Sequence, residues 1–481
     1  MAGYDVTLLP YQKRRLGEEW LFVSGSGDHV FLNAHDAGLY ERGDVEALPP
    51  HLQASLKAGF FTRSFPAPGT TRLLESRKRA RAETLEGGPS LHIIVPTLQC
   101  AHSCQYCQVS RAQEATGFSL SDEQILSACS SIMESDAPAL TVEFQGGDPL
   151  VRFDLIELAI NRLESLRGGR AVRYVVASSL HQLDSTMCDF FRAHNVFLST
   201  SIDGPAALHN RNRPVPGRNA YERTVAGLTL ARERLGKDSV SALMTTTKAS
   251  LAQPEQIVDE YVRLGFDDIF IRPLSSYGFA KRNQALLGYS VEAFMDFYVR
   301  ALDRVIYWNR RGVPLREVYA SIVLNKLLSP FDGGYVDLQS PTGAGRSVVV
   351  YNYDGFVYPS DEARMLAETG DTSLRLGRIG VSRAELERSP VQLALQASSL
   401  THQVPGCESC AYQTFCAPNP VDAQAQYGCM NAPVLETEHC RRHMGLFDYF
   451  FTRLRLADSE LLDLFHDWAT PADLRERSCA R

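Results

Sequence analysis

The sequence lacks any apolar run near the roughly 18 residues that a membrane helix requires, so no helical membrane span is expected. It also lacks an excess of basic charge. Lys and Arg total 49 against 56 Asp and Glu, a net charge of -7, which argues against a bulk nucleic-acid binder. The stretch from Met1 to Arg15 has no apolar core ahead of its basic residues, so no secretory signal is expected and the chain is expected in the cytoplasm. Internal repeats and long low-complexity tracts are missing too, which excludes solenoid and fibrous architectures.

What remains is ordinary globular composition, 44% hydrophobic and 22% charged. The length of 481 residues suggests about three domains at ~150 residues each. The 11 cysteines are odd in number and uneven in distribution. In a reducing compartment such cysteines point to metal ligands or catalytic groups rather than to disulfides. Three stand together at Cys100, Cys104 and Cys107, and five fall between Cys407 and Cys440. Cys129 and Cys188 lie in helical stretches and read as small buried apolar residues, and Cys479 stands alone near the C-terminus.

Residues 1 to 70 read as a small α+β unit, with a hairpin signal over Trp20–Val23 and His29–Asn33 and a helical pattern over Leu48–Phe61. A basic linker covers 71 to 90 and includes the run from Arg72 to Arg81. Six strand-then-helix units follow. The predicted strands are Leu91–Pro96, Leu140–Phe144, Ala171–Ala177, Val196–Ile202, Ser239–Thr246 and Asp268–Pro273. Their nearly continuous apolar character suits a parallel sheet covered on both faces, either doubly wound or a partial barrel, placed at 91 to 290. The segment 291 to 345 reads as a helical bridge, helical from Val291 to Leu328. The segment 346 to 481 opens with a hairpin at Val348–Tyr353 and Phe356–Tyr358 around Asp354-Gly355, becomes cysteine-rich, and ends in a helix over His443–Leu456.

Cys100-Ala-His-Ser-Cys104-Gln-Tyr-Cys107 directly follows the first predicted strand. Three thiolates in one loop can hold three irons of a four-iron cluster and leave the fourth iron open to a ligand. A closed zinc site would need a fourth ligand, for which His102 is the only local candidate. Later strands end in Gly146-Gly147-Asp148-Pro149, in Ser178-Ser179, and in Ser199-Thr-Ser201-Ile-Asp203-Gly204-Pro205, with Arg213 beyond. Each alone reads as a turn. Their recurrence at successive strand C-termini, where α/β proteins place ligands, marks a site.

With these motifs the sequence resembles the radical S-adenosylmethionine (SAM) superfamily, whose signature is the C-x3-C-x2-C loop after strand one and whose Gly-Gly-Glu-Pro motif is approximated by Gly146-Gly147-Asp148-Pro149. The resemblance implies a partial (β/α)6 TIM-like barrel. It implies that Cys100, Cys104 and Cys107 ligate a 4Fe-4S cluster whose open iron is chelated by S-adenosylmethionine. Tyr106 would lie near the adenine, and Gly146 and Gly147 would let the backbone approach the methionine moiety. Asp148 would accept from the ammonium. Ser179, Ser201, Asp203 and Arg213 would meet the ribose and carboxylate.

Cys407-x2-Cys410-x5-Cys416, followed by Cys429 and Cys440, resembles the SPASM extension of peptide-modifying radical SAM enzymes. Pro420 and Ser360 stand where that family has further cysteines, and none accompanies Gly343-Ala344-Gly345. The resemblance therefore implies one auxiliary 4Fe-4S cluster instead of two, held by Cys407, Cys410, Cys416 and Cys440, with Cys429 as the other candidate for the fourth ligand. Four thiolates satisfy zinc equally well, so zinc stays open at this point.

Residues 1 to 70 look like a RiPP recognition element, a winged-helix-like module that binds a precursor-peptide leader by strand addition. Taken whole, the chain resembles SPASM-type maturases of ribosomally made peptides, among them that of the His-Xaa-Ser system. The residues that carry this are Cys104-Gln-Tyr-Cys107-Gln-Val-Ser-Arg111, His209-Asn-Arg-Asn-Arg-Pro214 and Ser360-Asp-Glu-Ala-Arg-Met365. The implied activity is reductive cleavage of S-adenosylmethionine to a 5′-deoxyadenosyl radical that abstracts hydrogen from a precursor peptide, leading to a side-chain crosslink. A cellular one-electron reductant is an implied partner. Asp361, Glu362 and Tyr358 are candidate proton acceptors. The alternatives are a peptide epimerase, a sulfatase-type oxidase, and a zinc-bound peptide-binding scaffold without catalysis.

Overall fold

A computed structural model describes residues 6–64, 72–73, 75–76, 79, 87–113, 116–275, 277–329 and 333–470. Much of the basic linker run and Cys479 lie outside these residues. The chain builds a ten-stranded sheet in the order β12-β11-β10-β9-β8-β7-β6-β13-β14-β15. Its centre is the six-unit array expected from the sequence: β6 Leu91–Thr97, β7 Ala139–Gly146, β8 Ala171–Ala177, β9 Phe197–Ser201, β10 Val240–Thr245 and β11 Asp268–Arg272. Each pairs in parallel with the next. Helices Asp122–Met133, Phe153–Leu166, Ser185–Ala193, Ala220–Leu235 and Pro254–Arg263 fill the crossovers. Their starts are chemically set. Ser121 and Gln124 form a reciprocal capping box, Asp184 accepts from the Met187 N–H, and Pro254 occupies the first turn. The fold is thus an α/β partial barrel, as expected. Its core runs through Val142, Phe144, Ile156, Ile160, Val176 and Leu198, all buried.

Two elements depart from the expected pattern. The stretch Val291–Leu328 is not helical throughout. Helices Val291–Asn309 and Val318–Leu328 flank β12 Arg316–Glu317, which pairs in parallel with β11. The first helix stops before Gly312, which takes φ +78, and the buried Glu317 carboxyl then bridges both sides of the short strand. It accepts from the Ile271 N–H at 3.0 Å and from the Ala320 N–H at 2.5 Å, so one side chain anchors the strand and caps the next helix. The hairpin is present as β13 Val348–Tyr351 and β14 Phe356–Tyr358, but β13 also pairs in parallel with β6. It therefore prolongs the barrel sheet on its other edge, and β15 Gly377–Arg378 completes that edge.

At the N-terminal end, β2 Tyr11–Leu16, β3 Glu19–Ser24 and β4 His29–Leu32 form an antiparallel sheet. β1 Val6–Leu8 pairs with β5 Thr62–Ser64, and helices Ala34–Glu41 and Pro50–Ala58 complete the unit. This sheet is covered on both faces. Phe22, Val30 and Leu32 pack with Tyr40, Leu56 and Phe61 on one side. Leu21 and Val23 join the main core on the other. The closing helix runs Glu438–Leu456, longer than expected, with Thr437 capping it through the Cys440 N–H, so Cys440 sits in its first turn. Among the described residues no helix is long and apolar enough to cross a membrane.

Phe451 joins the units. It is fully buried, stacks on Tyr412 at 5.7 Å between ring centres and meets His29 edge-on at 5.0 Å. Phe451→Ala is expected to lower unfolding stability by about 3–5 kcal/mol, measured by urea denaturation.

Candidate active site and second cysteine group

One cavity of about 290 Å³ opens at the C-terminal ends of the barrel strands, and Cys100, Cys104 and Cys107 line it together with Gly146, Gly147, Ser179, Ser201 and Arg213. The cysteine loop is held from several sides. Ser103 N–H donates to Pro214 O at 2.8 Å and Gln105 N–H to Asn212 O at 3.0 Å. The Asn283 side chain donates to Gln105 O at 2.7 Å, and Phe279 N–H to Cys107 O at 2.8 Å. Burial pushes the Cys104 thiol up to about 11 and raises Cys100 as well.

The glycine pair is a steric requirement. A Cβ on Gly147 would stand 2.2 Å from Leu98 O and 2.3 Å from Gln99 O, and one on Gly146, which takes φ +133, would stand 2.2 Å from Thr97 O. The first close approach made by these glycines is therefore to the backbone that leads into the cysteine loop. Gly147 N–H donates to Thr97 O at 3.0 Å and Asp148 N–H to Gln99 O at 2.8 Å.

Asp148 differs from the role expected of it. Its carboxylate accepts from Ser178 Oγ at 2.7 Å, Ser179 Oγ at 2.5 Å, and the Ser179 and Leu150 N–H groups at 3.2 Å. It is buried, it does not line the cavity, and it ties the ends of β7 and β8 together. Pro149 likewise lies outside the lining and opens a short helical turn. Asp203 sits behind the wall, where both its oxygens lie 2.8 Å from Tyr106 Oη. Arg213 donates to the same Oη at 2.9 Å. Tyr106 lines the cavity with its hydroxyl fixed from two sides. Burial works against the Arg213 charge, but Tyr106, Cys104 and Asp203 hold it on. Burial pushes Asp203 up, and the Arg213 charge opposes this. His102 does not line the cavity, and its Nε2 stands 3.2 Å from His181 Nδ1, so it is not aimed at the three thiols.

The far side of the cavity comes from residues that sequence reasoning did not single out: Glu143, Arg272, Tyr277, Asp337, Asp422 and Arg442. Glu143 and Arg272 are polar residues near the ends of apolar strands, a signal that was present in the sequence. Asp337, Asp422 and Arg442 arrive from the C-terminal third through tertiary packing alone. Several buried donors on these walls have no partner among the described residues: Arg213 Nε, Ser275 Oγ, Tyr277 Oη and Arg442 Nε. Such groups are costly unless a ligand satisfies them.

Among the three candidate proton acceptors, Tyr358 donates to Asp354 at 2.8 Å and does not reach the cavity. Asp361 lines it but accepts from Arg364 at 2.7 Å. Glu362 also lines it, and burial, with Asp337 and Asp361 nearby, pushes its carboxyl up to about 7. Glu143 is likewise pushed to about 7 by burial.

The second group also converges. Cys407, Cys410, Cys416 and Cys440 line a separate small cavity of about 30 Å³ with Met444, Tyr412 and Phe447. Cys429 is exposed and lies outside that lining. The Tyr412 N–H donates to Cys410 Sγ at 3.4 Å. Among the described residues no three His, Cys, Asp or Glu side chains are drawn close enough to hold a single metal ion. At the positions where the resemblance led us to expect further cysteines, the local structure has other uses for the space. Ser360 caps helix Asp361–Ala367 through the Ala363 N–H, and Pro420 opens helix Pro420–Tyr427. Gln392, buried, donates to Ala344 O at 3.0 Å and fills the space at Gly345.

Comparison with known proteins agrees with this architecture. The family model of the radical SAM superfamily matches residues 94–267. This chain carries a radical SAM domain. A protein of Methanothermobacter thermautotrophicus is 25% identical over 181 residues, 36% of this chain and 64% of that protein. The serine-type anaerobic sulfatase-maturating enzyme of Klebsiella aerogenes is 25% identical over 215 residues, 42% of this chain and 50% of that enzyme. The chain thus spans less than two thirds of the length of either relative. Among solved structures, native anSMEcpe with bound AdoMet superposes with TM-score 0.63 at 17% identity, covering 79% of this chain and all of that one. Streptococcus suis SuiB bound to precursor peptide SuiA superposes with TM-score 0.54 at 12% identity, covering 90% of this chain and 99% of that one. These likenesses establish the fold around the radical SAM domain.

Two outcomes are expected. Gly147→Ala is expected to displace the cysteine loop, costing about 1–3 kcal/mol by overpacking, with iron lost from the first thiol group on reconstitution while the second retains it. The other concerns pH. A carboxyl whose folded value lies above its unfolded value contributes stability below the unfolded value and loses it as pH rises through the folded value. Stability is therefore expected to fall between about pH 4.5 and 7 as Glu143 and Glu362 ionise. Glu362→Gln is expected to flatten that fall in urea midpoints measured across the range.

Proposed function

We propose that the chain is a radical SAM enzyme that modifies a ribosomally made precursor peptide, with side-chain crosslinking as the reaction. The observation that supports this best is that three thiols, a glycine-permitted loop contact and a set of unpartnered buried donors share one enclosed cavity at the strand ends. The residues present fit a site-differentiated 4Fe-4S cluster with S-adenosylmethionine. Cys100, Cys104 and Cys107 supply three soft thiolates and no fourth. When bound, that pair supplies one-electron reductive cleavage of the C5′–S bond, which gives methionine and a 5′-deoxyadenosyl radical.

The chain's own residues orient and enclose. Tyr106 and Arg213 form a rigid wall beside the thiols, fixed from behind by Asp203. Ser179 and Ser201 offer hydroxyls at the ends of β8 and β9 for a ribose or carboxylate. Asp148 acts through Ser178 and Ser179 by fixing where those strand ends stand. On the opposite wall Glu362 is the best-placed of the candidate bases, because it faces the cavity and is held near neutrality. Cys407, Cys410, Cys416 and Cys440 suit one auxiliary 4Fe-4S cluster, since all four meet in one small apolar cavity. The N-terminal sheet and its two helices suit capture of a leader peptide at a strand edge. A peptide is also bound in SuiB, whose fold is similar. The name of the Klebsiella relative favours a second reading, oxidation of a single side chain on a protein substrate.

Protein purified without oxygen and reconstituted with iron and sulfide is expected to hold about eight irons, as two four-iron clusters require. Reduction with S-adenosylmethionine is expected to yield 5′-deoxyadenosine, and Cys104→Ala to abolish it. About four irons with 5′-deoxyadenosine intact would remove the auxiliary cluster. Zinc without 5′-deoxyadenosine would replace the enzyme with a binding scaffold. Both products lose two hydrogens, so mass spectrometry before and after treatment with a carbonyl-reactive hydrazine separates a crosslink, which gains no adduct, from a new carbonyl, which does.

A further inference from the structure

The N-terminal unit reaches the second cysteine group directly. Side chains of β2 alternate between the two faces of its sheet. Tyr11 stacks with Phe22 and Tyr40 in the unit's own core. Gln12 and Arg14 point the other way. The Gln12 side chain donates to Glu408 O at 2.9 Å, between Cys407 and Cys410. Arg14 Nε and Nη2 donate to the two oxygens of Asp448 at 2.6 and 2.7 Å, a bidentate pair. The same carboxylate accepts from Tyr412 Oη at 2.5 Å, and the Arg14 guanidinium lies 5.6 Å from the Tyr412 ring centre. Tyr412 in turn donates its N–H to Cys410 Sγ, and Asp448 lies on the helix that carries Cys440. A continuous chain of contacts therefore runs from strand β2 to a thiol of the second group.

We propose that Arg14 and Asp448 set the reduction potential of the auxiliary cluster, which makes the N-terminal unit an electrostatic part of that site. This rests on the four-thiolate reading of Cys407, Cys410, Cys416 and Cys440. Cluster potentials follow net charge, hydrogen bonds to sulfur and exposure. Reduction adds negative charge, which the guanidinium favours. Removing Arg14 leaves Asp448 with Tyr412 but without its cation beside the site, so two effects push the same way. Arg14 is a positioning residue, because it acts through Asp448 and Tyr412.

The test uses the full chain with Cys100, Cys104 and Cys107 all replaced by Ala, so that the second group alone can hold iron. About four irons per chain are expected after reconstitution. No iron would overturn the four-thiolate reading itself and be distinguishable from failure of the Arg14 role. With iron in place, a redox titration followed by electron paramagnetic resonance reads the midpoint. Arg14→Gln is expected to lower it by a tenfold shift in the reduction equilibrium, about 59 mV for one electron. Arg14→Lys is expected to restore most of the shift, and Asp448→Asn to move the midpoint upward. A midpoint unchanged in both Arg14→Gln and Asp448→Asn would overturn the proposal and leave the pair as a docking contact. If Arg14→Gln holds no iron, Asp448→Asn decides alone by the same criterion.

Discussion

The approach of Gly146 and Gly147 to the backbone of Thr97, Leu98 and Gln99 is the contact on which the candidate active site depends. It lets β7 end flush against the chain leaving β6, so the cysteine loop lies over the strand ends instead of projecting away from them. Everything else at the site is arranged around that seam. Asp148 follows the glycines and fastens β8 to β7 through two serine hydroxyls. Tyr106, inside the loop, is locked to Asp203 at the end of β9 and to Arg213 beyond it. Three successive strand ends are thus tied to one loop by two buried carboxylates, a buried phenol and a guanidinium.

This arrangement separates two kinds of polar residue that look alike in a sequence. Ser179, Ser201 and Arg213 face the cavity, whereas Asp148 and Asp203 stand behind it and orient those that do. Both carboxylates were legible as site residues because they follow strand ends. Which of them meets the cavity was not legible, since that depends on which way a side chain turns within one residue of a tight bend.

The central sheet was readable to within a residue or two at most strand ends, because parallel strands buried on both faces are near-continuous apolar runs bounded by turn residues. β2, Tyr-Gln-Lys-Arg-Arg-Leu, carries no such run and was missed. It is held by pairing to β3, by Tyr11 in the unit's own core, and by Arg14 reaching Asp448 on the helix Glu438–Leu456, which is distant in sequence. β12 was hidden for a related reason: it is only two residues long and is held by the Glu317 carboxyl more than by apolar pattern. The convergence of Cys440, rather than Cys429, with Cys407, Cys410 and Cys416 was inferred from position beside a helix, and the packing places Cys440 in that helix's first turn.

The covering of the N-terminal sheet on both faces has a consequence for substrate geometry. A module seated on Phe451, Asp448 and Glu408 is a fixed post, not an arm on a tether. On the reading proposed above, a peptide gripped at its edge would have to cross a set span to reach the barrel mouth, and an extended chain covers at most ~3.3–3.6 Å per residue. On that reading the protein would work as a ruler: the rigid frame would dictate the number of residues between the gripped segment and the reacting residue, and residues too close to the grip would be out of reach whatever their chemistry.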